Sequence, residues 1–469
     1  MIIEQIYTGC LAQGAYYIQS NGEAAIIDPL REVNPYIERA ERDGVKIKYV
    51  FETHFHADFV SGHVTLSNLT GAPIVYGPNA DPSFEAHIAK DGEFFQVGDI
   101  QIKALHTPGH TMESTTYLVI DESGNEHAIF SGDTLFLGDV GRPDLAQKVG
   151  SLTVEDLAGF SFDSLRNKIM TLPDDVIVYP AHGAGSACGK NMMKETVDTL
   201  GNQKKMNYAL RADMTKQEFI KELTDGLLPP PSYFPLNVQM NKEGYASIDE
   251  VLSTGLKALS PKEFESIANE TEAIMLDVRH EADFATSHVP NSIFIGLNGT
   301  FAPWVGELII DVKQPIILIT PEGKEEEAII RLSRVGFDRT IGYLKGGIAA
   351  WKEAGMEVDS VNSVPASELD QNYKESETQV FDVRKESEYA SEHIVNAKNT
   401  PLGKINNYLS QFPKDENFYL HCAGGYRSMI ATSILKSRGI HNIIDVQGGF
   451  GAIKETNIPR TEFVCPTTL

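Results

Sequence analysis

Lys46-Ile47-Lys48-Tyr49-Val50-Phe51-Glu52-Thr53-His54-Phe55-His56-Ala57-Asp58 is the stretch on which the fold of this chain turns. Residues 46–51 are apolar-biased and predict a strand, which runs directly into three side chains able to bind metal. His54 and His56, two apart, point to the same side of an extended chain, and Asp58 comes within reach beyond the bend. Outward from this stretch the same pattern recurs. Thr107-Pro108-Gly109-His110, Ser131-Gly132-Asp133-Thr134 and Tyr179-Pro180-Ala181-His182-Gly183 each place a donor in a turn after a strand. Most of the chain's histidines fall between residues 54 and 182, as metal sites require. His87 and His127 are expected to be solvated, and His63 to be structural. The β-rich runs Ala24-Ala25-Ile26-Ile27-Asp28 and Val176-Ile177-Val178-Tyr179-Pro180 belong to the same region, and Pro229-Pro230-Pro231-Ser232-Tyr233-Phe234-Pro235 marks the exit from it.

At 469 residues the chain is too long for one ordinary core and is expected to form two to four domains. Its 65 Asp and Glu against 40 Lys and Arg give a net charge of -25. Such a field repels phosphate backbones and anionic lipid, so neither nucleic acid nor membrane is an expected partner. No basic segment with an apolar run opens the sequence at Met1-Ile2-Ile3-Glu4-Gln5, and no stretch is apolar for the length of a membrane span. A cytoplasmic protein is expected. The four cysteines, Cys10, Cys188, Cys422 and Cys465, are too few and too dispersed for a disulfide framework, so each is read as a free thiol.

An internal repeat organises the second half. Ile274-Met275-Leu276-Asp277-Val278-Arg279 recurs as Val380-Phe381-Asp382-Val383-Arg384, its Asp-Val-Arg displaced by 105 residues. Tyr343-Leu344-Lys345-Gly346-Gly347-Ile348 recurs as Asp445-Val446-Gln447-Gly448-Gly449-Phe450 at an offset of 102. Short apolar runs alternate with helical patterns in each copy, which predicts a parallel sheet covered on both faces. With a second linker near Asp359 to Pro365, the expected domains are 1–245, 246–360 and 361–469.

In the second copy a strand ending at Leu420 and His421 leads into Cys422-Ala423-Gly424-Gly425-Tyr426-Arg427-Ser428 and then a helix, stopped by Gly439. A cysteine there faces backbone N–H groups and the positive end of the helix dipole, which favours an anionic sulfur, and Arg427 adds a positive charge. The first copy has Thr320-Pro321-Glu322-Gly323-Lys324-Glu325 in the same place, with no cysteine, and is expected to be catalytically inert.

The N-terminal motifs resemble the metallo-β-lactamase fold, two β-sheets packed face to face between helices, over about the first 245 residues. That fold carries a His-x-His-x-Asp-His motif, and Phe59 stands here where its last His would be, which removes a ligand of a second metal. Resemblance to the persulfide dioxygenase branch implies one Fe(II) per chain held by His54, His110 and Asp133, with zinc able to substitute on purification. That ligand set leaves positions for substrate sulfur and oxygen. His56, Asp58 and His182 are then implied to orient ligands or water, or to belong to a second metal site. Arg142 matches a basic position kept beside the site in that branch; it either binds substrate or pairs with Asp139 or Asp144.

The C-terminal loop resembles that of rhodanese sulfurtransferases, Cys-x-x-Gly-x-Arg, one residue shorter than the loop of dual-specificity phosphatases and so suited to sulfur. The resemblance implies Cys422 and Arg427 as catalytic and Ala423, Gly424, Gly425, Tyr426 and Ser428 as the substrate cradle. The whole arrangement is similar to fusions of a persulfide dioxygenase with an inactive and an active rhodanese domain. It implies a low-molecular-weight thiol persulfide and O2 as substrates, sulfite and thiosulfate as products, and a homo-oligomer. The alternatives are a zinc thioester hydrolase of the second-glyoxalase type, or a persulfide carrier or sensor. Cys10 and Cys188 are auxiliary thiols or small buried hydrophobes.

Overall fold

The computed structural model describes residues 1–145, 152–227 and 229–465. The chain divides into two compact units, one of Met1–Glu250 with Ile310–Val312 and Leu332–Asp338, the other of the remaining residues from Val251 onward.

In the first unit, β1 (Ile2–Thr8), β2 (Gln13–Ser20), β3 (Glu23–Ile27), β4 (Lys46–Phe51), β5 (Ile74–Tyr76) and β6 (His87–Ile88) form one sheet in that order, antiparallel as far as β3 and parallel beyond. β7 (Phe94–Val97), β8 (Ile100–His106), β9 (Thr115–Ile120), β10 (Glu126–Gly132), β11 (Ile177–Pro180) and β12 (Asp198–Thr199) form the second. Alternation along β2 and β3 shows why the sheets face each other. Tyr16, Ile18, Ala25 and Ile27 pack against Ile100, Ile102, Tyr117 and Phe130 of the second sheet. Their sequence neighbours Ala15, Tyr17, Ala24 and Ile26 point the other way, under Tyr36 and Ala40 of the helix Asn34–Asp43. The outer face of the second sheet is covered in the same way by Ala158, Leu200 and Phe219 from three helices. Two sheets between helices is therefore the architecture, as the sequence predicts.

The proline-rich stretch does not end this unit. The helix Phe234–Glu243 begins inside it, with Pro235 in its first turn, and buries Asn237 and Asn241. Asn241 Nδ2 donates to the carbonyls of His56 and Phe59, each at 2.8 Å, and so ties the metal-binding turn to this helix.

The second unit contains two five-stranded parallel sheets. One has β13 (Ala258–Leu259), β14 (Ile274–Asp277), β15 (Ile293–Phe294), β16 (Ile316–Ile319) and β17 (Thr340–Leu344) in the order β13-β17-β16-β14-β15. The other has β18 (Asn362–Pro365), β19 (Val380–Asp382), β20 (Lys398–Asn399), β21 (Phe418–His421) and β22 (Ile443–Gln447) in the equivalent order β18-β22-β21-β19-β20. The repeated Asp-Val-Arg is structural. Arg279 and Arg384 each bring Nη2 within 2.6 Å of the preceding Asp277 or Asp382 carboxylate, and each donates on to the backbone of Ser287 or Glu392. The stretch near Asp359–Pro365 is not merely a linker: Asn362–Pro365 is an edge strand paired with β22, with its proline in last place, at the start of the helix Ala366–Asn372. Among the described residues no helix is long and apolar enough to cross a membrane.

Candidate metal centre and sulfur-transfer loop

Four strands of the first unit end in the turns that carry the donors. β4 leads to His54, His56 and Asp58, β8 to His110, β10 to Asp133 and β11 to His182. The structure brings one ligand atom each from His54, His110 and Asp133 to within 4.8 Å of one another, all three residues buried. Asp133 Oδ2 lies 3.9 Å from His54 Nε2 and 3.4 Å from His110 Nε2.

Neighbouring groups set the tautomers. Thr53 Oγ1 gives its proton to Asp28 Oδ2 at 2.9 Å, so at 3.0 Å from His54 Nδ1 it can only accept, and the lone pair of His54 falls on Nε2. His110 Nδ1 lies 2.8 Å from the Arg142 carbonyl, which accepts its proton and leaves Nε2 bare in the same way. Both oxygens of Asp133 are buried without a hydrogen-bond partner among the described residues. A buried carboxylate with no donor and two bare imidazole nitrogens facing it fit a metal cation. Burial, and then the neighbouring rings of His56, His110 and His182, hold the His54 imidazole well below its ordinary range, in the neutral form a metal needs.

His56 does not join that group. Its Nε2 lies 3.2 Å from Asp28 Oδ1 and 3.7 Å from Glu52 Oε2. Burial opposes its charge, but Asp28, Glu52 and Asp58 outweigh burial and push its pKa up to about 9. His56, Asp58 and His182 form a second group of buried donors within 4.8 Å. His182 Nε2 stands 3.5 Å from Asp58 and 3.6 Å from Asp133. The Phe59 ring lies on His56, centroids 4.4 Å apart, and 6.4 Å from His182, so an apolar face occupies this side. His63 is buried near Glu52 and Tyr76, and His87 is exposed beside Glu93.

Arg142 is bound through one guanidinium edge, Nε and Nη2, to both oxygens of Asp144, at 2.6 and 2.7 Å, and its side chain is nearly buried. Cys188 is 1% exposed and within 4.8 Å of donor atoms on Asp133 and His182; burial, and then the charges of Asp58 and Asp133, push its thiol well up. Cys10 is half-buried beside Arg334 Nη1, 3.6 Å away, and belongs to none of these groups.

Asp28, Thr53 and Gly141 escaped the sequence reading. Asp28 carries the one available signal, a carboxylate closing an apolar strand. Gly141 is required because a Cβ there would stand 2.1 Å from the Asp133 carbonyl and 2.9 Å from His110 Nδ1. Gly141→Ala is expected to shift both ligands, lowering metal affinity about tenfold or more and stability by about 1–3 kcal/mol. Metal titration and thermal unfolding of the variant measure the two effects.

In the second unit, the Cys422 thiol is 1% exposed and accepts the Gly425 N–H at 3.0 Å, where the helix Tyr426–Ser437 begins. Phe450 N–H bonds the Cys422 carbonyl at 2.7 Å, and Gly449, at φ 52°, leaves room for that carbonyl, which a Cβ would meet at 2.4 Å. This is what the repeated Gly-Gly does for the loop. Ala423 and Gly424 are exposed, Tyr426 donates to the Gly296 carbonyl at 2.6 Å, and Ser428 donates to Asp445 at 2.7 Å. Arg427 is held by Glu388 through two bonds of 2.6 and 2.8 Å, which neutralises the charge expected of it in the cradle.

Residues 8–182 match the metallo-beta-lactamase superfamily model, and 260–354 and 365–456 each match the rhodanese-like domain. A probable hydroxyacylglutathione hydrolase of Schizosaccharomyces pombe is 32% identical over 164 residues, 34% of this chain and 59% of that protein's length, so the chain spans less than two thirds of it. The mouse mitochondrial persulfide dioxygenase ETHE1 is 30% identical over 227 residues, 47% of this chain and 78% of that protein. A metallo-beta-lactamase crystal structure from Staphylococcus aureus subsp. aureus COL superposes with a TM-score of 0.64 at 30% identity, covering 74% of this chain and 98% of that one. With an αββα sandwich carrying a buried His and Asp cluster, followed by two copies of a parallel-sheet domain, the chain belongs to the metallo-β-lactamase superfamily as a fusion with rhodanese-like domains.

Proposed function

We propose that the first unit is a persulfide dioxygenase holding one Fe(II) and that the second passes sulfane sulfur through Cys422 to sulfite. The observation that carries this reading is the grouping of His54, His110 and Asp133, two imidazoles and a carboxylate whose oxygens are buried without a donor. A ferrous ion held there would supply adjacent open positions for a sulfur anion and dioxygen, together with the electrons to couple them. The chain's own residues do the rest. Thr53 and the Arg142 carbonyl fix the imidazoles with Nε2 toward Asp133, and Phe59 keeps the far side apolar. His182 and Asp58, 3.5 Å apart, stand next to Asp133 and can take up protons released there. The balance is persulfide, O2 and water giving thiol, sulfite and two protons. At the second site the Cys422 thiolate attacks the outer sulfur of another persulfide, releasing thiol, and sulfite then removes that sulfur as thiosulfate and restores the thiolate. Free cysteines throughout suit the reducing, cytoplasmic setting of such a step.

The glyoxalase-like relative supports a rival, hydrolysis at two zinc ions, for which His56, Asp58 and His182 would be needed as ligands. Phe59 weighs against it. Phe59→His is expected to restore the missing imidazole beside Asp58 and His182 and to raise metal content from about one to about two per chain, read by elemental analysis after zinc loading. Oxygen uptake tests the proposal itself. Glutathione persulfide should drive O2 consumption with matching sulfite, and S-lactoylglutathione should not be turned over; hydrolysis without oxygen uptake would overturn the reading.

A further inference from the structure

A cavity of about 500 Å³ lies in the second unit between residues 280–286 of the inert copy and the Cys422 loop of the active one. Gly424 and Gly425 form part of its wall, and Gly425 is the residue whose N–H rests 3.0 Å from Cys422 Sγ, so the cavity adjoins the nucleophile. Its lining is acidic. Asp445 is only 3% exposed, and among the described residues its two oxygens meet no cation, only the hydroxyls of Ser428 and Ser363, at 2.7 and 2.8 Å. Glu281, from the inert copy, lines the same space, its carboxylate held by Asn298 at 2.8 Å with His280 3.4 Å away. Burial pushes the Asp445 carboxyl up to about 6 against the pull of the two hydroxyls, and the charge of Glu281 adds a smaller push in the same direction. No lysine or arginine is among the described lining residues. The four positions between Cys422 and Arg427 are neutral, and Arg427 is spent on Glu388.

A buried carboxylate that shares a cavity with a second one, with no lysine or arginine among the described lining residues, is costly unless something else supplies the charge. We infer that this cavity is the donor subsite of the sulfur-transfer reaction and takes a low-molecular-weight persulfide bearing a free ammonium group, which Glu281 and Asp445 receive. The inert copy then has a task, since Glu281 is its contribution to donor selection. Thiols carrying phosphate groups meet like charge at this wall and are disfavoured, and the thiosulfate dianion is favoured to leave. The transfer is balanced without a further reactant: the Cys422–S bond to the outer sulfur forms as the S–S bond of the persulfide breaks, and the thiol departs as a thiolate that takes up a proton from water.

This inference rests on Cys422 being the sulfur acceptor, and its test separates the two. Full-length protein under anaerobic conditions, which idle the first unit, is given sulfite with either cysteine persulfide or N-acetylcysteine persulfide, and thiosulfate formation is followed. The wild type should show a KM about tenfold lower for the donor with the free ammonium group, as one charge-assisted contact provides. In Glu281→Gln the ratio of the two KM values should collapse toward one, and Asp445→Asn should narrow it likewise. Equal KM values in the wild type, or a ratio unchanged in Glu281→Gln, would overturn the subsite while leaving Cys422 as acceptor. No thiosulfate from either donor, or as much from Cys422→Ser, would overturn the acceptor and the subsite with it.

Discussion

Asp133→Ala is expected to strip the first unit of its metal and to lower persulfide-dependent oxygen uptake by more than about a hundredfold. Asp133 supplies the only carboxylate of the His54, His110 and Asp133 group, and Oδ2 is the point on which both imidazole Nε2 atoms converge, at 3.9 and 3.4 Å. Its removal leaves two neutral nitrogens and no compensating charge. Loss of a group that merely orients a ligand costs roughly 10- to 100-fold in metal affinity, so loss of the ligand itself must cost more. Folding should survive, because neither oxygen of Asp133 bonds another described residue, and the buried negative charge is a burden to the apo protein. Anaerobic thiosulfate formation at Cys422, supplied with sulfite, should continue in this variant. Metal analysis and an oxygen electrode read the effect, and retention of iron with normal oxygen uptake would place the metal elsewhere.

Cys422→Ser should lower thiosulfate formation by about a thousandfold, ~4 kcal/mol in barrier, while sulfite accumulates in its place. Serine fits the same space and can accept the Gly425 N–H, so the loop should keep its shape. A hydroxyl is not ionised at neutral pH and forms no persulfide, and no other cysteine can take over. Cys465 is exposed in the C-terminal segment, Cys10 sits beside Arg334, and Cys188 is buried among carboxylates that oppose its ionisation. Chromatography of the two sulfur oxyanions after aerobic turnover checks this, and undiminished thiosulfate in the variant would remove Cys422 from the reaction.

Local pattern carried the architecture a long way. The strand expected at Lys46–Phe51 is β4 to the residue, because an apolar run flanked by a charged strand start and a histidine turn has few other solutions. The displaced Asp-Val-Arg and Gly-Gly motifs marked two copies of one sheet, since each performs a local task in both copies, an ion pair at a strand end and a left-handed turn, with φ 74° and 57° at Gly346 and Gly347 and 72° and 52° at Gly448 and Gly449. What stayed hidden was long-range. Nothing in His-x-His says which ring turns toward Asp133 and which toward Asp28 and Glu52, because that is decided by β3, which lies beside β4 only once the sheet has formed. Arg427 looked like a free positive charge until Glu388, 39 residues earlier, was found against it. The proline-rich stretch resembled an exit because prolines end elements, whereas the two Asn241 bonds that keep the next helix in the first unit are made to residues more than 180 positions away.

The metal content of full-length protein, purified without oxygen and supplied with ferrous iron, tests the central claim most directly. About one tightly held iron per chain, lost in Asp133→Ala, is the result expected of a mononuclear centre between His54, His110 and Asp133. Two zinc ions per chain that displace the iron and persist in that variant would contradict it.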